Sequence, residues 1–197
     1  NQTVYGLELS FEYGGTATVY NNLIHDLSSA ATGNYSVQGI LSNGTNNVLH
    51  NNMIYDLRNP TGSSAPQVIG VNVSGHNVSL YYNTVYLNPN GTNANFSSVA
   101  LYVSGGTSTL SNNNIYMNTG TPGATGMTAA LWKTADGFAN INTASDRNIW
   151  YAGTPGAQNL ICYTPSASYQ TLDDYKACLL YTSDAADEED SVDLGGR

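Results

Sequence analysis

Short apolar runs recur along the chain at intervals of about thirty residues. The five copies are VYNNLIHDL at 19–27, LHNNMIYDL at 49–57, LYYNTVYL at 80–87, LSNNNIYM at 110–117 and the degraded SDRNIWY at 145–151. Each copy contains one aliphatic anchor, and the anchors are Ile24, Ile54, Val85, Ile115 and Ile149. Their spacings are 30, 31, 30 and 34 residues. Five copies at one period indicate a repeat architecture.

Two further apolar strips keep step with the anchors. Ile40, Val71 and Leu101 each lie 14 residues before an anchor. The other strip lies five residues before the anchors and consists of Val19, Leu49, Leu80 and Leu110. Each run is too short for a helix, and loops rich in Gly, Pro, Asn and Ser separate the periods. The pattern therefore predicts about three short strands in every period.

A parallel β-helix accounts best for this repeat. Propeller blades need about 40 to 45 residues, and leucine-rich repeats need a regular Leu framework that is absent from this sequence. We therefore predict an all-β fold, a parallel β-helix of five to six coils over residues 1–177. Consecutive coils would stack about 4.8 Å apart, with equivalent residues in register.

Asparagine recurs two positions before the anchors, at Asn22, Asn52, Asn83 and Asn113. Asparagine tolerates the unusual backbone conformations of a bend, and its amide can donate to one coil while accepting from another. We expect these four residues to form an asparagine ladder. The alternative is that they are solvated loop residues.

Aromatic side chains occupy the position after the anchor, which should point outward if the anchor points inward. These residues are His25, Tyr55, Tyr86, Tyr116 and Trp150. Aromatic rings offer flat apolar faces to sugars, and neighbouring amides offer hydrogen bonds, so the strip is a candidate glycan-binding surface. The alternative is that the rings only stabilise the sheet by stacking, or that a loop covers them.

The repeats resemble the right-handed parallel β-helices of pectate-lyase-like proteins. The segments NNNIYMNTGTPGATGMTAALWK, SDRNIWYAGTPGAQNLICY and YQTLDDYKA further resemble large repeat-containing secreted or surface proteins of Bacteroidetes-type bacteria. This resemblance implies a right-handed β-helix, an extracellular or cell-surface location, and a helix-like stretch after the final coil. Such proteins often carry a C-terminal sorting domain.

Catalytic chemistry has little support in the sequence. The hydrolases of this fold share N-T-D, D-D, G-H-G and R-I-K motifs. Asp173-Asp174 matches D-D and Gly75-His76-Asn77 matches G-H-G in part, and we interpret both matches as accidental. The sequence contains no N-T-D and no R-I-K motif. Asp26 and Asp56 occupy equivalent positions in adjacent coils, at a spacing that would suit a retaining glycosidase or a Ca²⁺ site. We favour solvated residues at the coil edge, because no third acid joins them. We expect no metal, cofactor or catalytic residue in this segment.

Composition and charge narrow the classes of partner. Only 10% of residues are charged against 41% hydrophobic, and the net charge of −9 argues against nucleic acid, which needs a basic patch. No apolar run approaches the roughly 18 residues of a membrane span. The first residues, NQTVYGLELS, contain neither an initiator Met nor a signal peptide, so we expect an internal fragment of an exported protein.

Residues 178–197 differ abruptly from the repeats and contain six of the 14 acidic residues. The acidic run alone predicts a disordered tail. Residues 178–188 and 192–197 also resemble, in one reading frame, the translation of a transposase-type sequencing adapter. We therefore predict that this tail is not part of the natural protein.

Two functions remain for residues 1–177. The first is a non-catalytic, structural or adhesive segment that binds polysaccharide or cell-surface glycan. The alternative is part of a polysaccharide lyase or glycoside hydrolase whose catalytic coil lies outside this fragment.

Overall fold

The chain forms a β-solenoid of about five turns in the computed structural model, which describes residues 2–10 and 15–187, with side chains as far as residue 179. The strands are β1 (Val4–Ser10), β2 (Thr18–Tyr20), β3 (Leu23–Ile24), β4 (Leu27–Ser28), β5 (Val37–Asn43), β6 (Val48–His50), β7 (Met53–Tyr55), β8 (Leu57–Arg58), β9 (Val68–Val73), β10 (Val78–Tyr81), β11 (Thr84–Leu87), β12 (Ser98–Val103), β13 (Thr109–Asn112), β14 (Ile115–Asn118), β15 (Thr128–Lys133), β16 (Ile149–Tyr151), β17 (Asn159–Thr164) and β18 (Ala167–Tyr169). One helix, α1 (Leu172–Asp187), follows them.

Three sheets run along the solenoid. Sheet A has the order β1-β5-β9-β12-β15-β17-β18, sheet B the order β2-β6-β10-β13, and sheet C the order β3-β7-β11-β14-β16. Strands β4 and β8 form a small fourth sheet. All neighbours are parallel except β17 and β18, because each coil passes through the sheets in the same direction. The predicted all-β solenoid with about three strands in every coil is confirmed.

The core consists of side chains stacked coil over coil. Ile40, Val71 and Leu101 occupy equivalent positions of sheet A, as the second strip predicts, and each is at least 98% buried. Glycine is required at position 70, because a Cβ atom there would clash with Cγ1 of Val85 on sheet C and with the backbone carbonyl oxygen of Ala100. Sheets A and C therefore approach each other across a core that has no room for an added side chain.

The fourth coil contains one extra residue, which changes the register of sheets B and C. Four residues, 74–77, connect β9 to β10, whereas five residues, 104–108, connect β12 to β13. Ser111 therefore pairs with Leu80, and Tyr116 pairs with Val85. Leu110, Ile115 and Ile149 each lie one residue before the core position of their strand. The prediction that these three side chains point into the core is therefore wrong.

An asparagine ladder follows the bend between sheets B and C. Its members are Asn22, Asn52, Asn83, Asn114 and Asn148. From Asn52 onward, each Oδ1 atom accepts hydrogen bonds of 2.8–3.2 Å from the backbone N–H and the side-chain amide of the preceding member. The ladder is confirmed for Asn22, Asn52 and Asn83.

Asn113 is not part of the ladder. It occupies the left-handed turn position immediately before the ladder residue, with φ of 57°. The equivalent turn residues of the other coils are Asn21, Asn51, Tyr82 and Arg147, with φ between 54° and 58°. The extra residue in the fourth coil moves Asn113 to this position, so the ladder continues through Asn114.

Helix α1 covers the C-terminal end of the core. It begins after Thr171, whose Oγ1 accepts from the backbone N–H of Asp174, while the Asp174 carboxylate accepts from the backbone N–H of Thr171. This reciprocal pair is a capping box. Tyr175 is 95% buried, and its ring contacts Phe138 edge-on at a centroid distance of 5.4 Å. The helix ends at Asp187, and residues 188–197 of the tail lie outside the described residues. The disorder and the adapter origin predicted for residues 178–197 both stay predictions.

Candidate functional site

Two rows of outward side chains cross sheet C along the solenoid axis. The row that we call the apolar row consists of Leu23, Met53, Thr84, Ile115 and Ile149. The row that we call the aromatic row consists of His25, Tyr55, Tyr86, Met117 and Tyr151. Within the described residues, seven large hydrophobic side chains are clearly exposed, and five of them belong to these rows. The outer face of sheet C is therefore an exposed apolar surface.

The predicted outward strip is confirmed for His25, Tyr55 and Tyr86 and is wrong for Tyr116 and Trp150. Tyr116 is fully buried, and its ring stacks on that of Trp150 at a centroid distance of 4.6 Å. The extra residue in the fourth coil turns both rings inward. Met117 and Tyr151 take the outward positions, which the sequence analysis missed.

A groove opens between Tyr55 on β7 and Tyr86 on β11. Its volume is about 300 Å³. The lining residues are Tyr55, Asp56, Leu57, Arg58, Pro60, Tyr86, Asn88, Pro89 and Asn90. His25 stacks in parallel on Tyr55 at a centroid distance of 4.9 Å, whereas no ring contact joins Tyr55 to Tyr86 in the described part of the chain. The groove thus places the Tyr55 ring, which stacks on His25, and the Tyr86 ring beside polar loop residues.

The charged side chains at this groove are paired with one another. Guanidinium nitrogens of Arg58 lie 2.8 Å from an Asp56 carboxylate oxygen and 3.5 Å from one of Asp26. Nδ1 of His25 lies 2.7 Å from the other Asp26 oxygen. The hydrogen bond with His25 holds the pKa of Asp26 below its ordinary value, and the charge of Arg58 contributes to the shift. Both aspartates have positive φ, 56° and 51°, at the turn that leaves sheet C.

This arrangement disfavours the two chemical uses considered for Asp26 and Asp56. A retaining glycosidase needs one carboxylic acid and one free carboxylate, whereas here Arg58 bridges two exposed carboxylates. No group of three or more His, Cys, Asp or Glu side chains is placed to hold a metal ion within residues 2–10 and 15–179.

A second groove, of about 190 Å³, lies on the outer face of sheet A and was missed from the sequence. Tyr35 and Tyr102 line it with Gln38 and Asn72, whose side-chain amides are joined by a hydrogen bond of 3.0 Å. Beyond it, an aromatic ladder runs from Tyr102 through Trp132 to Tyr163. The signal was present in the sequence, because an aromatic residue follows the core position in ALYVS, ALWKT and LICYT.

Lys133 is a buried cation at the capped end of the core. It is fully buried, its Nζ donates to the carbonyl of Gly137, and it lies 4.8 Å from the centre of the Phe138 ring. No ion pair joins Lys133 to a carboxylate among the described residues. Burial lowers the pKa of Lys133, and burial raises the pKa of the adjacent Cys162 thiol, which is therefore inert as a nucleophile.

Lys133→Met should raise the free energy of unfolding by about 1–2 kcal/mol at neutral pH, because it removes an unpaired buried charge. In the folded protein the pKa of Lys133 is lowered, so its protonated form is penalised at every pH below that value. The penalty disappears as pH rises from the lowered pKa toward the ordinary value of 10.5. The stability difference between Lys133→Met and wild type should therefore narrow at alkaline pH.

Urea denaturation at pH 7 and at pH 10, followed by far-UV circular dichroism, measures this effect. Lys176→Met on the exposed side of α1 is the matched control and should change stability little at either pH. A Lys133→Met variant less stable than wild type would show that the contacts with Gly137 and Phe138 outweigh the burial penalty.

Within the described residues, no helix combines the length and apolar character that a membrane crossing requires. No protein-family profile, curated protein or solved structure matches this chain.

Proposed function

We propose that this chain is a glycan-binding stretch of a secreted or cell-surface β-solenoid protein. The observation that carries the proposal is the groove between Tyr55 and Tyr86, where two outward rings flank amide and charged side chains. Small-molecule sites typically combine apolar walls with a few polar groups, and sugars present both apolar ring faces and hydroxyls. The resemblance of the repeats to pectate-lyase-like and Bacteroidetes-type surface proteins supports an adhesive role outside the cell.

The polar side chains that line the groove can form hydrogen bonds with sugar hydroxyls. Asn88 and Asn90 follow β11, and Pro60 and Pro89 restrict the loops that carry the groove wall. Arg58 is already oriented by two carboxylates, so its remaining N–H groups can donate to a ligand without a large entropic cost.

Tyr55→Ala should weaken glycan binding at least about tenfold, because it removes one ring wall of the groove. The full chain would be screened on a glycan array, and its best ligand titrated by isothermal calorimetry against wild type and variant. Tyr20→Ala is the matched control, since Tyr20 is 54% exposed but lies on sheet B outside the groove. Both variants should retain the wild-type far-UV circular dichroism spectrum.

Two results would contradict the proposal. One is a folded wild-type protein that binds no glycan on the array. The other is a glycan that binds with equal affinity to wild type and to folded Tyr55→Ala, which would place the binding site elsewhere.

A further inference from the structure

The two rows on sheet C extend well beyond the groove. The groove involves the second and third coils, whereas the rows continue through Ile115 and Met117 to Ile149 and Tyr151. Ile149 is 55% exposed and Tyr151 is 43% exposed. A ligand confined to the groove would leave these apolar side chains in water.

The dimensions of this face favour a narrow ligand over a protein partner. Five strands stacked about 4.8 Å apart, each with two outward side chains, present a strip of roughly 20 Å by 10 Å. A stable protein interface buries about 800 Å² on each partner, several times the area of this strip. The strip has the shape of a single extended chain that lies along the solenoid axis.

The repeat distance along the strip fits a sugar chain. The rings of His25 and Tyr55, in adjacent coils, have centroids 4.9 Å apart. An extended chain of pyranose rings repeats at nearly this distance. Each coil can therefore place one side chain of each row against one sugar unit.

The charges near the strip indicate an uncharged ligand. Asp26 and Asp56 outnumber Arg58 at one end, and the two carboxylates offset the positive charge of Arg58. At the other end Arg147 is paired with Asp146 at 3.4 Å. An acidic polysaccharide would find no free cation here, and it would face two carboxylates.

We propose that the ligand is an uncharged, extended pyranose chain that lies along the solenoid axis over sheet C, with one sugar unit per coil. The inference rests on the proposed glycan-binding function and specifies its ligand class and orientation. Tyr55 and Tyr86 bind the end of the sugar chain that lies in the groove, and the other end of the sugar chain contacts Tyr151.

Calorimetry with oligosaccharides of increasing length tests this inference on the full chain. The probes are β-1,4-linked oligomers of glucose, xylose, mannose and N-acetylglucosamine with two to six units, and oligogalacturonate as the anionic probe. At least one neutral series should gain tenfold or more in affinity between two and five units. Oligogalacturonate of the same length should bind at least tenfold more weakly.

Two variants test the two ends of the strip separately. Tyr86→Ala should weaken binding of all lengths at least tenfold. Tyr151→Ala should weaken binding of the five- and six-unit chains by three- to tenfold and leave the two-unit chain unchanged. Tyr20→Ala is again the control outside the strip.

Equal affinity for all lengths, with no effect of Tyr151→Ala, would overturn the axial arrangement and leave the groove as a site for short glycans. Preference for oligogalacturonate, or array binding by anionic glycans alone, would overturn the uncharged ligand class and leave glycan binding intact. A folded protein that binds neither these oligomers nor any array glycan would overturn the proposed function itself.

Discussion

Replacing Asn114 with alanine should lower the free energy of unfolding by about 3–5 kcal/mol, because buried hydrogen-bonding groups would lose their partners. Its Oδ1 atom accepts from the backbone N–H and the side-chain amide of Asn83 at 2.8 and 2.9 Å. Its Nδ2 atom donates to the carbonyl of Leu80 at 2.9 Å and to Oδ1 of Asn148 at 3.2 Å. Asn114 is fully buried, so bulk water does not reach the groups left behind.

The neighbouring Asn113 provides a matched control. It has the same side chain, but it lies at a left-handed turn position, and glycine adopts this conformation without strain. Asn113→Gly should therefore change stability by less than about 1 kcal/mol. Urea denaturation of the two variants tests directly which of the two asparagines belongs to the ladder. Loss of stability in Asn113→Gly, with little loss in Asn114→Ala, would show that the ladder passes through Asn113.

Tyr116→Ala should lower the free energy of unfolding by about 3–5 kcal/mol, as expected for removal of a large buried ring. The ring is fully buried and stacks on Trp150, and its hydroxyl shares a hydrogen bond of 3.1 Å with Oγ of Ser111. Ser111 lies at the position that Leu80 occupies in the previous coil. Because serine is smaller than leucine, this position leaves room for the ring of Tyr116. Tyr116→Phe should cost only about 1 kcal/mol, the usual contribution of one hydrogen bond.

Tyr86→Ala is the control for Tyr116→Ala in the same denaturation experiment. Tyr86 is 42% exposed on the outer face of sheet C and should contribute less than about 1 kcal/mol to stability. Equal, small losses for Tyr86→Ala and Tyr116→Ala would mean that both rings point outward, as a regular thirty-residue repeat predicts.

The sequence predicted the first three coils well because their spacings are nearly uniform. The period, the core strip through Ile40 and Val71, and the ladder through Asn83 all follow from residues repeated at constant offsets. The fourth coil departs from this pattern because three successive asparagines, residues 112–114, precede the adjacent apolar residues Ile115 and Tyr116. Either register then satisfies the repeat, and the structure distinguishes them by the hydrogen bonds of Asn114 in the ladder and by the contact of Tyr116 with Ser111.

The candidate site was only partly predictable for a different reason. Tyr55 and Tyr86 lie within the repeat, so their outward position follows from alternation along a strand. The opposite wall of the groove comes from Pro60 and the segment 88–90, which lie in loops outside the repeated pattern. Arg58 also has no counterpart in the other coils, and its pairing with Asp26 depends on how the first two coils stack.

The stacked coils have a mechanical consequence. The hydrogen bonds of the three sheets and of the asparagine ladder run along the solenoid axis, so a pull along that axis loads the bonds of one coil boundary at a time. A protein stretched between a cell and a surface would then lengthen in steps, as the outermost coil peels away first. Each released coil of about 30 residues can extend to about 100 Å. Such stepwise extension would dissipate a sudden load while the remaining coils stay folded.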